Sequence, residues 1–161
     1  MELSDGLVIE HEWVPGRVLR SPDEDRNNPD STYQRFLNLP IQRRSNVYDE
    51  ILELFREIEE QHVIIEDFYD GCVLYDFDAD RAHVCDLDHR TNVFTMGATG
   101  FIMGATGFIL LNDNKRREVD WPLSEEPFRV LAQATSERTE ERQESIGQFC
   151  REWRRALEYA A

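Results

Sequence analysis

The sequence predicts an α+β fold, mainly helical, with one small β-hairpin, and three observations predict it. Val47, Tyr48, Ile51, Leu52, Leu54, Phe55 and Ile58 recur at helical spacing, with Glu53, Glu57, Glu59 and Glu60 on the other face. Ile146, Phe149, Trp153 and Leu157 repeat the pattern near the C-terminal end. Between them, Val73-Leu74-Tyr75 and Ala82-His83-Val84 read as two short strands joined around Asp78-Ala79-Asp80.

The remaining elements follow from the punctuation. Residues 7–9 read as a strand, Pro15-Gly16 as a turn, and residues 21–31, crowded with Pro, Asp and Asn, as a polar loop. Val63-Ile64-Ile65 brings the chain in as a buried strand, and Asp70-Gly71 supplies the turn after it. Residues 122–135 contain a short helix around Phe128, Val130 and Leu131. Phe149 and Trp153 read as core.

Two carboxylates stand out against this frame. Asp67 follows the run 63–65, and Asp86 follows His83-Val84-Cys85, so each interrupts or closes an apolar run. An Asp on a loop, a hairpin, and a second Asp beyond it is how phosphoryl transfer sets a hydroxyl acceptor beside a magnesium ion. Asp67 is the candidate acceptor of the hydroxyl proton, and Asp86 offers the hard oxygen that Mg²⁺ prefers. Both acids are expected at the rims of one small sheet. Asp70, Asp76, Asp78 and Asp80 read as solvated turn residues.

At these residues the chain resembles the protein-kinase-like superfamily, and more closely a bacterial group of serine/threonine protein kinases. Ile65-Glu66-Asp67 stands for H-R-D, and Asp86-Leu87-Asp88 for D-F-G. Residues 6–16, Gly-Leu-Val-Ile-Glu-His-Glu-Trp-Val-Pro-Gly, resemble the last N-lobe strand running into the hinge, so Glu10, Glu12 and Trp13 are the implied adenine-side residues. Asn92-Val93-Phe94-Thr95-Met96-Gly97 resembles the D-x-W-S-x-G start of the central C-lobe helix, and residues 138–153 look like the final helices. The resemblance implies a kinase-like C-lobe with a hinge-like segment at 6–16, catalytic and metal loops at 62–88, a central helix at 91–111 and C-terminal helices at 124–161. ATP and magnesium are the implied cofactors.

The chain also departs from the family. No G-x-G-x-x-G occurs, and the only lysine, Lys115, lies downstream of Asp86, so none takes the phosphate-pairing role in family order. Few residues precede the hinge-like segment, so the N-lobe is read as missing. Cys72 stands where the family carries a magnesium-ligating Asn. A thiolate is a soft, poor ligand for Mg²⁺, so Cys72, the second metal candidate, also reads as a small half-buried hydrophobe. Asp88 is followed at once by His89-Arg90-Thr91-Asn92, without room for an activation segment. Arg142 resembles the arginine that pairs with the A-P-E glutamate. It is therefore expected exposed or re-paired with a nearby Glu, because an unpaired buried guanidinium is costly.

Seven residues, Met96-Gly97-Ala98-Thr99-Gly100-Phe101-Ile102, are copied without change as 103–109. On a helix that adds ~10.5 Å and keeps the apolar face roughly in phase. The duplication produces nineteen uncharged residues, 93–111, long enough for a membrane span, with Lys115-Arg116-Arg117 as a positive flank. Four glycines, three threonines and the resemblance to a buried central helix favour a core helix instead.

With 33 acidic residues against 18 basic ones the net charge is −15, which repels polyanions and excludes nucleic acid as a partner class. Cys72, Cys85 and Cys150 are widely spaced without C-x-x-C, which points to neither a zinc site nor a disulfide framework and fits a reducing cytoplasmic setting. His62 and His83 have no second histidine at ligand spacing. The reading is one kinase-like domain, an ATP-dependent phosphotransferase acting on a protein Ser/Thr or small-molecule hydroxyl, inactive or nearly so as this chain. Its partners are a protein substrate or a complementing N-lobe chain. A degenerate binding module or truncated gene product is the second reading, and a membrane-anchored acidic protein the third.

Overall fold

A computed structural model describes residues 2–3, 6–7, 13–65, 67–87, 90–91 and 96–158. Two-residue strands β1 (Glu2–Leu3) and β2 (Gly6–Leu7) pair with each other. Then come β3 (Arg17–Val18), α1 (Thr32–Leu37), α2 (Ile41–Glu60), β4 (Ile64–Ile65), β5 (Val73–Asp76), β6 (Arg81–Val84) and β7 (Arg90–Thr91). The second half is helical: α3 (Met96–Asn112), α4 (Glu125–Ala134) and α5 (Ile146–Glu158). The chain is thus α+β and mainly helical, and the expected hairpin is β5–β6, with Val73 opposite Val84 and Asp76 opposite Arg81.

Helix α2 organises the core. Its stripe Val47, Tyr48, Ile51, Leu52 and Phe55 is buried, as the spacing predicts. The helix begins before that stripe, at Ile41, because Pro40 presets the entry and its carbonyl accepts from the amides of Arg43 and Arg44. It ends in a Schellman motif: Val63 N–H donates to Ile58 O at 3.2 Å and His62 N–H to Glu59 O at 2.9 Å. His62, at φ +57°, occupies the left-handed position that usually takes glycine.

The other helices close around α2. The Tyr48 hydroxyl donates to the Met103 carbonyl at 2.7 Å, and the Tyr48 ring meets Trp153 edge-on at 5.0 Å. Phe108, Trp121 and Phe128 form an edge-to-face trio between α3 and α4. A Cβ on Gly104 would stand 2.8 Å from Ala134 Cβ, and one on Gly107 would stand 2.7 Å from Leu131 Cδ2, so the second heptad copy lets α4 approach closely. Among the described residues no helix is long and apolar enough to cross a membrane.

Several expectations need correction. Asp67 and Asp86 do not flank one sheet: β4 pairs with β7 in a sheet of its own, whereas β6 belongs to the sheet β3-β5-β6. Strand β3 was not predicted, since two residues between a Pro-Gly turn and a polar loop carry no periodicity. Of the expected strand 7–9, Leu7 lies in β2 and the rest lies outside the described residues. Thr91 is in strand β7 rather than in the central helix, which is helical from Met96. Glu59 does not simply face solvent. Its carboxylate accepts from the Ile146 and Gly147 amides at 3.0 and 3.2 Å, capping the N-terminus of α5.

Candidate functional site

The acid-bearing loops are placed by packing on both sides. Phe68 is buried edge-on against Phe55 of α2, ring centroids 4.7 Å apart, which leaves its neighbours Asp67 and Tyr69 exposed. A single 3₁₀ turn, Asp70–Cys72, then returns the chain into β5, with Cys72 N–H donating to Tyr69 O at 2.9 Å. The Cys72 thiol donates to the Asp67 carbonyl at 3.7 Å and ties the turn to the loop. On the other side, Cys85 N–H donates to Cys72 O at 2.9 Å, and the chain leaves through Asp86 in the left-handed region at φ +59°.

Tyr69 is exposed beside Asp67. Its pKa is raised above the ordinary value, first by the charge of Cys72, then by burial and by Asp67 and Asp86, while Arg20 opposes the shift. Arg20, Pro22, Asp67 and Tyr69 line an open hollow of about 510 Å³. Leu87, one residue past Asp86, belongs to a separate apolar hollow of about 400 Å³ with Leu54, Ile58, Val63 and Ile65.

Asp70 departs most from the turn-residue expectation. It is 1% exposed, and among the described residues neither of its carboxylate oxygens has a hydrogen-bond partner. Arg20 at 3.8 Å and Arg26 at 3.7 Å hold it by charge alone. Arg26 also stacks over Tyr33, 4.0 Å from the ring centroid, and pairs with Asp113 at 3.5 Å beyond the end of α3. The Leu19 amide donates to Val73 O at 2.8 Å, which pins the Arg20 backbone beside β5. Nothing in the pattern Asp-Phe-Tyr-Asp-Gly distinguishes this buried acid from a solvated one. Asp76, in contrast, is an ordinary turn residue that accepts from the amides of Asp78 and Ala79, and Asp80 pairs with Arg43 and Tyr75.

The other implied site residues are more scattered. Cys72 is buried rather than half-buried, at 1% exposure, and burial pushes its thiol pKa up. A protonated sulfur in the core does not fit a hard cation. Asp86 is exposed and offers the hard carboxylate oxygen that magnesium prefers. Among the described residues no three His, Cys, Asp or Glu side chains cluster as a metal cage. Trp13 is 89% exposed, and Glu10, Glu12 and Asp88 lie outside the described residues. Arg142 is half-buried. Its Nε donates to Ser136 O at 2.8 Å, and the guanidinium lies over Phe101, 4.9 Å from the ring centroid.

No protein-family model matches the chain, and a search of curated proteins also finds no match.

Proposed function

We propose that the chain is a kinase-like C-lobe whose ancestral chemistry is ATP-dependent phosphoryl transfer to a protein Ser/Thr or small-molecule hydroxyl. The observation that supports this reading is the open hollow that Asp67 lines with Arg20 and Tyr69, with Asp86 leaving the end of the β5–β6 hairpin just past Cys85, whose amide bonds Cys72 O. Asp67 orients the acceptor hydroxyl and takes its proton. Asp86 holds magnesium, which when bound neutralises charge on the transferring phosphate. Arg20 is the one cation lining the hollow among the described residues, and no G-x-G-x-x-G or upstream lysine occurs in the sequence. Electrostatic clamping supplies most of phosphoryl-transfer catalysis, so these 161 residues alone transfer phosphate little or not at all. Transfer by this chain that disappears in Asp67→Asn would refute that part of the proposal.

The buried thiol of Cys72 at the place of a magnesium ligand favours a second reading, a pseudokinase-type binding module without catalysis. Calorimetric titration of Mg-ATP into the chain and into Asp86→Ala, with a thermal melt of each, separates the two. Ligand at 100 times its dissociation constant stabilises a fold by ~2.7 kcal/mol. Binding that is lost in Asp86→Ala supports the metal site and makes a complementing N-lobe chain the next partner to seek. A cooperatively folded chain that binds no Mg-ATP leaves a kinase-derived scaffold without kinase chemistry.

A further inference from the structure

We infer that Cys72 and Cys85 form a reversible cross-strand disulfide that locks the Asp67 and Asp86 loops together. The two cysteines lie one step beyond the Val73–Val84 pair of the β5–β6 ladder. Cys85 N–H donates to Cys72 O at 2.9 Å, which carries the register one step past the ladder and sets the two opposite each other, while Cys72 N–H turns away to Tyr69 O. Residues opposite each other in an antiparallel pair have Cα atoms ~4.5–5.5 Å apart, inside the ~4.4–6.8 Å range of disulfides. Their Cβ atoms, ~4.5–5.5 Å apart in a regular ladder, must close to ~3.8 Å. Cys85 is free to make that movement, because the ladder stops there and Asp86 turns the chain away at φ +59°. Both are free thiols in this structure.

Accessibility sets the order of the chemistry. Cys85 is half-buried and open to a small oxidant, whereas Cys72 is 1% exposed. With a low-molecular-weight disulfide as oxidant, the Cys85 thiolate attacks one of its sulfurs and releases one thiolate. The buried Cys72 thiolate then attacks the Cys85 sulfur of the mixed disulfide and releases the second. Two protein thiols are oxidised, the reagent's disulfide bond is reduced to two thiols, and the protons lost by Cys72 and Cys85 end on them. The burial of Cys72 limits access to it, so the exchange is slow. Closure also removes the thiol hydrogen that Cys72 donates to the Asp67 carbonyl.

The thiol chemistry does not depend on nucleotide binding, and its test contains no nucleotide. The intact chain is incubated with excess oxidised glutathione, alkylated, unfolded and mapped without reduction. The titratable thiols are expected to fall from three to one, with peptides containing Cys72 and Cys85 joined within a single chain. Dithiothreitol restores all three. Cys150→Ser still closes the bond, and Cys85→Ser does not. Hydrogen exchange of the amides of residues 70–72 and 85–87 slows in the oxidised form. Glutathione retained on Cys85 without closure, bonds only between chains, or three persistent thiols in the folded protein would each overturn the inference.

Discussion

His62 holds φ +57° at the end of α2 with an exposed imidazole that makes no contribution to the core. The left-handed conformation costs a β-carbon-bearing residue roughly 1–2 kcal/mol, part of which glycine returns through its larger unfolded-state entropy. His62→Gly is therefore expected to raise stability by about 0.5–1 kcal/mol in denaturant melts, and a lower midpoint would show that the Schellman geometry is not populated. Asp67, Asp70 and Asp86 show what one dimension conceals at this scale. Asp67 and Asp86 draw attention in the sequence because each breaks an apolar run. Asp70 is not, because turn chemistry and a buried ion pair use the same residue, and only the fold brings Arg20 and Arg26 to it. Arg20 and Tyr69 went unnoticed for a related reason: each matters through a neighbour distant in sequence.

At the scale of elements, the two heptad copies of α3 are identical in sequence and unequal in setting. Phe108 is buried between Trp121 and Phe128, while its counterpart Phe101 is half-buried beneath Arg142. Gly104→Ala would gain about 1 kcal/mol of helix propensity, but its methyl meets Ala134 and Thr135 at 2.8 and 2.9 Å. Overpacking of that kind costs about 1–3 kcal/mol, so a net loss of up to about 2 kcal/mol is expected by thermal melt. An unchanged or raised melting temperature would mean that α4 does not press on α3 there. Helices α2, α4 and α5 were legible because an apolar stripe at 3.6-residue period is a local signal. The short strands β3 and β7 were not, since each exists only through a partner distant in sequence. The Glu59 cap on α5 was hidden in the same way, as a surface glutamate until α5 packs beside it.

For the whole molecule, the acid groups that ionise at high pH are set within the core. Burial pushes the Cys150 thiol from 9.0 to about 11, with the Asp49 carboxylate adding to the shift. It also raises Tyr33, Tyr48 and Cys72. The folded chain holds these protons more tightly than the unfolded chain. Stability is thus fully present below the unfolded-state values and is lost as pH climbs through the folded ones. Cys150 alone accounts for about 2–3 kcal/mol between pH 9 and 11. Urea midpoints are expected to stay level up to about pH 8 and to fall steeply above about pH 9. Cys150→Ser should show a shallower fall. A midpoint that stays level to about pH 11 would place these groups in water.

The tandem heptad also gives the chain a choice of threading. If residues 96–102 slid into the seat of 103–109, the glycines, Phe and Met that touch α2 and α4 would all be replaced by identical ones. The bonds from Tyr33 to Ile109 O and from Arg44 to Leu111 O involve backbone carbonyls, so they cannot tell the copies apart. The difference begins just past the repeat. Met103 would replace buried Leu110, Gly104 would replace buried Leu111, and Thr106 would replace Asp113, the partner of Arg26 and Tyr33. Emptying the Leu111 seat alone costs about 2–5 kcal/mol. A domain of this size has only about 5–15 kcal/mol in total, so on the C-terminal side of α3 the native threading is chosen by four residues, 110–113, and by a margin comparable to the stability of the molecule itself.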